Sequence, residues 1–332
     1  MKKWHYPFLA FLIIGSYLIL TENRTPKAQS PQYMHSEGLV FGTRYTATYL
    51  YTSDLTAEIE ATLARVDSAL SMFNPQSTIS RVNGASEIQV TDTMFLKVYR
   101  RAMEISDWTH GAFDITVAPA VNAWGFGFKH AGNIGQNVLD SLLEITGYWK
   151  ITEKDGTITK SDSRIMLDCS AIAKGFGSDM VAGLMRSRNI GNFMIEIGGE
   201  IVVAGRNPNG KDWNIGISKP VDDSLSVSGE LQTVIPVTDI AMATSGNYRN
   251  FYVREGRKYA HTIDPHTCMP VSHSLLSATV FAPDCATADA LATSMMVMGP
   301  DSARALVSAH PEISAFLILD GGNGNLETVR LP

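Results

Sequence analysis

The amino-acid sequence predicts an α+β fold, a single intertwined domain of mixed sheets with packed helices. Three observations carry that expectation. Helical and strand-like periodicities follow one another irregularly rather than as a strict βαβ repeat. After Leu39 no long linker, internal repeat or low-complexity block divides the chain. With 332 residues, 45% of them apolar and 18% charged, the chain is long enough to bury a sizeable core.

Residues 1–22 predict a signal peptide or N-terminal anchor, polar residues 23–37 with Pro26 and Pro31 predict a linker, and 38–332 the folded domain. Leu39 to Tyr51 alternates, with Phe41, Thr43, Tyr45, Ala47, Tyr49 and Tyr51 on one face, and predicts a strand. Asp54 can cap a helix in which Ile59, Leu63, Val66 and Leu70 recur until Asn74-Pro75 stops it. A second helix follows Asp92, with Phe95, Val98, Ala102 and Ile105 on one side, and ends at Gly111. Ile172, Phe176, Met180 and Leu184 share the face of a third. Asn192 to Ile197 and Glu200 to Ala204 read as strands joined at Gly198-Gly199, a hairpin-turn pair. Short strands are expected at Trp213 to Ile217, Val234 to Val237, Ala278 to Phe281 and Ala315 to Leu319, and helices at Ala286 to Met298 and Ser302 to His310.

Charge and termini narrow the function class. The 27 Lys+Arg against 33 Asp+Glu leave a net charge of -6, without a basic cluster, so no nucleic-acid partner is expected. Cys169, Cys268 and Cys285 are too few for a disulfide framework and lack CxxC spacing. Lys2 and Lys3 precede the apolar run Phe8 to Leu20, which is shorter than the roughly 20 residues of a comfortable membrane span. The run therefore reads as an export signal, with a retained anchor at the membrane as the alternative. No cysteine follows it, so a lipid-anchored mature form is not expected.

Several segments could carry chemistry, although each alone has an ordinary structural explanation. Leu167 to Gly177 passes from an expected strand into a helix start, where free amides and the macrodipole suit an anion and Lys174 adds positive charge. Its spacing is not that of a P-loop. Asp289 and Thr293, four residues apart, would stack on one helix face and offer oxygen to a hard cation such as Mg²⁺. His261, in an apparently extended stretch before Asp264-Pro265, could take a proton from a hydroxyl near neutral pH. Thr244-Ser245-Gly246 supplies hydroxyls in an expected turn. Ser71 to Asn83, Gly111 to Pro119 and Trp124-Gly125-Phe126-Gly127 are aromatic or glycine-rich loops of the kind that can sandwich a planar heterocycle.

Taken in order, these segments resemble the bacterial FAD:protein FMN transferases. The matching motifs are Gly111-Ala112-Phe113-Asp114 with Trp124 to Gly127, Ser170 to Gly175, Glu196-Ile197-Gly198-Gly199, Thr244-Ser245-Gly246, His261 to Pro265, and Ala288-Asp289-Ala290 with Thr293. Together they span about Gly38 to Leu319. The resemblance implies the flavin transferase fold with largely antiparallel sheets, and Mg²⁺-dependent transfer of the FMN half of FAD to a threonine or serine hydroxyl of a target protein, releasing AMP. It implies metal ligands at the Ala171 carbonyl, Asp289 and Thr293, and an FAD pocket lined by Phe41, Phe73, Asp114, Asp168, Lys174, Thr244, Ser245 and Ile263, with His261 as general base. It further implies acceptor flavoproteins of electron-transport complexes, such as sodium-pumping NADH:quinone reductases, on the periplasmic side of the inner membrane. Two other readings use the same pocket: a Mg²⁺-dependent FAD pyrophosphatase yielding FMN and AMP, and a protein that holds FAD without turning it over.

The chain departs from the family pattern in places. Phe41 replaces the usual methionine before Gly42-Thr43, Cys268 stands where a glycine commonly follows Asp-Pro-x-Thr, and Cys169 occupies a position more often apolar.

Overall fold

A computed structural model describes residues 30–127, 134–220, 231–247, 251–254, 257–322 and 325–332. The expected signal or anchor, residues 1–22, lies outside them. Among the described residues no helix is long and apolar enough to cross a membrane.

Strands β1 (Gln32–Val40) and β2 (Thr43–Tyr51) form a hairpin, followed by α1 (Thr56–Leu70), α2 (Thr78–Asn83), β3 (Glu87–Gln89) and α3 (Thr93–Trp108). Next come α4 (Ala118–Ala123), α5 (Gln136–Ile145), β4 (Ile151–Lys154), β5 (Thr157–Lys160) and α6 (Ser170–Ser187). Strands β6 (Phe193–Ile197), β7 (Glu200–Ala204), β8 (Trp213–Ser218), β9 (Leu231–Val237) and β10 (Ile240–Gly246) lead to the short β11 (Phe251–Arg254), β12 (Arg257–Ala260), β13 (Ile263–Asp264) and β14 (Met269–Pro270). The chain closes with β15 (Leu275–Ala282), α7 (Cys285–Ala309), β16 (Ser314–Asp320) and β17 (Leu326–Leu331).

Eight strands make the main sheet in the order β1-β2-β6-β7-β10-β15-β16-β17, and every neighbouring pair is antiparallel. The α+β expectation holds. Long excursions interrupt the sheet's chain order: α1 to α6 lie between β2 and β6, β8-β9 between β7 and β10, and β11 to β14 between β10 and β15. Helices α6 and α7 pack on each other, and α7 lies against β10 and β15. Ile172, Phe176, Leu291 and Met295 join Ala243, Ala278 and Val280 in the largest apolar cluster, tying helices to sheet.

The front of the chain differs from expectation. What alternation predicted as one strand is a hairpin, because Phe41 (φ 51) and Gly42 (φ 73) both take positive φ, as a two-residue turn of the primed type requires. Residues 32–37, expected to be linker, form most of β1 and pair with β2 from Gln32 opposite Tyr51. β1 is an edge strand, and an edge half open to solvent tolerates a polar composition that otherwise reads as linker. Thr244-Ser245-Gly246 is not a turn but the end of β10, paired with β15. Leu167 to Cys169 forms no strand. The Asn83 side chain takes the strand's place, accepting from the Leu167 N–H at 2.7 Å and donating to its carbonyl at 3.0 Å. The hairpin at Gly198-Gly199 (φ 63 and 106) and the two expected C-terminal helices are present, the latter as one element broken at Gly299 (φ 77) before Pro300.

Candidate active site

The site is assembled where α6 crosses α7. Gly175 permits this crossing, since a Cβ there would collide with the carbonyl oxygen of Cys285 and stand 2.8 Å from Asp289 Cβ. The Gly175 N–H, whose ordinary helical acceptor is the Ala171 carbonyl, donates to Asp289 Oδ2 at 3.0 Å. The start of α7 is held by two caps. Asp284 accepts from the Thr287 N–H, and Asp179 of α6 accepts from the Cys285 and Ala286 N–H groups, both at 2.8 Å. The two helices are thereby fixed to each other by backbone-directed bonds at the point where the acidic side chain emerges.

Around Asp289 stands a polar group deep in the fold. Lys174 Nζ lies 2.7 Å from Glu200 Oε1 and 3.7 Å from Asp289 Oδ1, and both carboxylates are nearly inaccessible to solvent. Burial alone would lower the Lys174 pKa, but Asp289 and Glu200 outweigh it and hold the ammonium well above its ordinary range. Glu200 is shifted upward by burial and then by Asp289, against the pull of Lys174. Thr293, one turn beyond Asp289, places its hydroxyl 3.1 Å from that of Ser245 on β10. Thr244 is turned to the neighbouring strand, its hydroxyl 2.8 Å from that of Thr279.

These groups line a cavity of about 1140 Å³. Asp114, Asp168, Ala171, Lys174, Thr244, Ser245, His261, Ile263, Asp289 and Thr293 all border it, so separated stretches of sequence meet in one place. His261 follows β12 outside any strand and makes an edge contact with Phe126, ring centres 6.4 Å apart. Asp168 accepts from the Ser170 N–H at 2.7 Å, so one amide at the helix start expected to meet an anion already has a carboxylate. Burial raises the pKa of Asp168, with the Ser170 bonds opposing. Asp114 is likewise raised by burial while it accepts from Thr116 and from the Tyr148 N–H.

Phe41 and Phe73 do not border the cavity. Phe41 occupies the β1–β2 turn and packs against the core beside Gly177, and Phe73 is 78% exposed in the loop after α1. Loop aromatics look alike in sequence whether they face a ligand, a core or solvent. Cys268, where the family carries glycine, adopts φ 53 and is fully buried, its carbonyl accepting from Trp124 Nε1 at 2.7 Å. Sequence reasoning missed Glu200 as a site residue. Its signal was present, since an acid heads a strand whose remaining residues, Ile201 to Ala204, are continuously apolar and all buried.

Comparison with known proteins decides the family. A family model described as "ApbE family" matches residues 41–317. The chain belongs to the ApbE family. It is 35% identical to the FAD:protein FMN transferase of Vibrio cholerae, with 98% of this chain and 96% of the relative covered. It is 37% identical to that of Haemophilus influenzae over 86% of each chain. Among solved structures, the flavin transferase ApbE from Vibrio cholerae superposes with a TM-score of 0.81 at 35% identity, covering 90% of this chain and 97% of that one. The apo form of the Pseudomonas stutzeri flavinyl transferase ApbE reaches 0.81 at 28% identity, covering 92% and 96%. The ApbE fold is thus the mixed, largely antiparallel α+β architecture described above, and the family is one of transferases.

Proposed function

We propose that this ApbE-family chain transfers the FMN moiety of FAD to a threonine or serine hydroxyl of an acceptor flavoprotein, releasing AMP. The observation that carries this reading is the convergence on one cavity of Lys174 from α6, Asp289 and Thr293 from α7, and His261 from the stretch after β12. Ordinary small-molecule pockets enclose roughly 300–1000 Å³. A cavity of about 1140 Å³ has room for a dinucleotide and an incoming side chain.

The donors fit a hard cation. Among the described residues no group of three or more His, Cys, Asp or Glu could hold a metal ion, so a cation here needs neutral oxygens and substrate phosphates beside one carboxylate, the usual arrangement for Mg²⁺. The Ala171 carbonyl, Asp289 and the Thr293 hydroxyl would hold it. Bound there, Mg²⁺ would supply neutralisation of the charge on the pyrophosphate oxygens.

The chain's own residues do the rest. Lys174 sets a second positive charge beside the same region, and Phe126 with Ile263 offers apolar surface to a flat ring. The acceptor oxygen attacks the phosphorus on the FMN side, the bond from that phosphorus to the bridging oxygen breaks, and AMP departs with the bridge. His261 takes the proton from the attacking hydroxyl. The acceptors are exported flavoproteins of electron-transport complexes, of the sodium-pumping NADH:quinone reductase type, and the chain works on the periplasmic side of the inner membrane, delivered by its N-terminal segment.

Purified protein incubated with FAD and Mg²⁺, with and without an acceptor bearing a target threonine, tests the proposal. AMP formed only with acceptor, together with a flavin-labelled acceptor, is the expected result. AMP formed equally without acceptor would make the chain a pyrophosphatase, and no AMP a flavin-binding protein. Cell fractionation with N-terminal sequencing of the mature chain checks export.

A further inference from the structure

We infer that Glu200 is a positioning residue for the reaction, holding Lys174 off Asp289 so that the aspartate stays available to a divalent cation. The inference rests on the proposed role of Asp289. Lys174 Nζ is shared unequally, 2.7 Å from Glu200 Oε1 and 3.7 Å from Asp289 Oδ1. The first is a charge-assisted hydrogen bond and the second is not. Glu200 is itself anchored to the helix that bears the lysine. Ser178, one turn beyond Lys174 on α6, donates its hydroxyl to the Glu200 carbonyl at 2.9 Å.

Packing does not account for Glu200. Its side chain is almost wholly buried, and Oε2 has no hydrogen-bond partner among the described residues. An unpartnered buried carboxyl oxygen is costly, and an apolar residue would continue the buried strand β7 without that cost. The compensating contact is the one made by Oε1 to Lys174. Remove it and, among the described residues, Asp289 is the one carboxylate left paired with the ammonium, which would approach it to contact distance.

That collapse would set the protein's own cation in competition with the metal. Closing a unit-charge pair from 3.7 Å to about 2.8 Å at an effective dielectric of ~20 favours the contact by a factor of about ten in its equilibrium constant. The same factor should appear as weaker Mg²⁺ binding.

Calorimetric titration of Mg²⁺ into the full chain saturated with FAD reads this directly. Glu200→Ala should weaken Mg²⁺ about tenfold, whereas Glu200→Gln, which keeps an oxygen within reach of Nζ, should stay within about threefold of the parent. Adding Lys174→Met to Glu200→Ala should restore Mg²⁺ affinity, which a merely structural loss at residue 200 would not do. Should the alanine variant fail to fold, Glu200→Asp, with its carboxylate withdrawn by one methylene, must show a weakening in the same direction, smaller than about tenfold, and the same rescue. Unchanged Mg²⁺ affinity in Glu200→Ala, or no rescue by Lys174→Met, overturns the inference. Asp289→Ala separates the two levels: if it abolishes binding while Glu200 variants do nothing, only the role of Glu200 falls, and if it too leaves Mg²⁺ binding intact, the cation site itself is wrong.

Discussion

At the scale of single residues, Asp289 and His261 are set in different surroundings and should fail differently. Asp289 is buried and tied to the Gly175 N–H, so its replacement removes the single carboxylate on which the proposed cation site depends. Asp289→Ala is expected to lower Mg²⁺-dependent AMP release by about 10²–10³-fold, measured with saturating FAD. His261 makes an edge contact with the Phe126 ring and borders the cavity. His261→Ala should cut transfer by about 10²–10⁴-fold while the FAD Kd, read from flavin fluorescence, moves little. Equal losses in both would reassign the histidine to binding.

At the scale of elements, the α6–α7 pair is the part of the structure on which the site depends. Gly175→Ala would force a methyl into the Cys285 backbone, an obstacle that cannot swing aside. The expected cost is about 1–3 kcal/mol of stability with a larger proportional loss of activity, checked by denaturant melts alongside turnover. The same pair carries a pH dependence. Burial pushes Asp179 up to about 7, with Asp284 adding to the rise and the Cys285 and Ala286 amides and Arg186 opposing it. A carboxyl whose folded pKa exceeds its unfolded value favours folding fully below the unfolded pKa of 3.8, and that contribution is lost as pH rises through about 7. Thermal melts from about pH 5 to about pH 8 should therefore fall more steeply for the parent than for Asp179→Asn.

At the scale of the whole molecule, the three cysteines report on the core. Cys169, Cys268 and Cys285 are free and buried in different clusters, and burial is the main cause that raises the pKa of each thiol. A thiol reagent should label none of them in the native protein and all three after unfolding, followed by absorbance and mass. Early labelling of Cys285 alone would mean that the α6–α7 crossing opens before the sheet does. What was readable from the chain alone follows the same physics. The helices with long apolar periodicity, Ile59 to Leu70 and Phe95 to Ile105, and the Gly198-Gly199 hairpin were legible because period and turn chemistry are local properties. So were Asp289 with Thr293, one helical turn apart, and the order of motifs that marks the family. Tertiary structure alone decided that residues 32–37 extend an edge strand, that Asn83 substitutes for a strand beside Leu167, and that Phe41 and Phe73 stay away from the cavity. It alone revealed Glu200 leaning on Lys174. Spacing along a chain specifies which side chains share a face, but the partner that a buried charge meets comes from a distant segment, and only folding brings the two within bonding range.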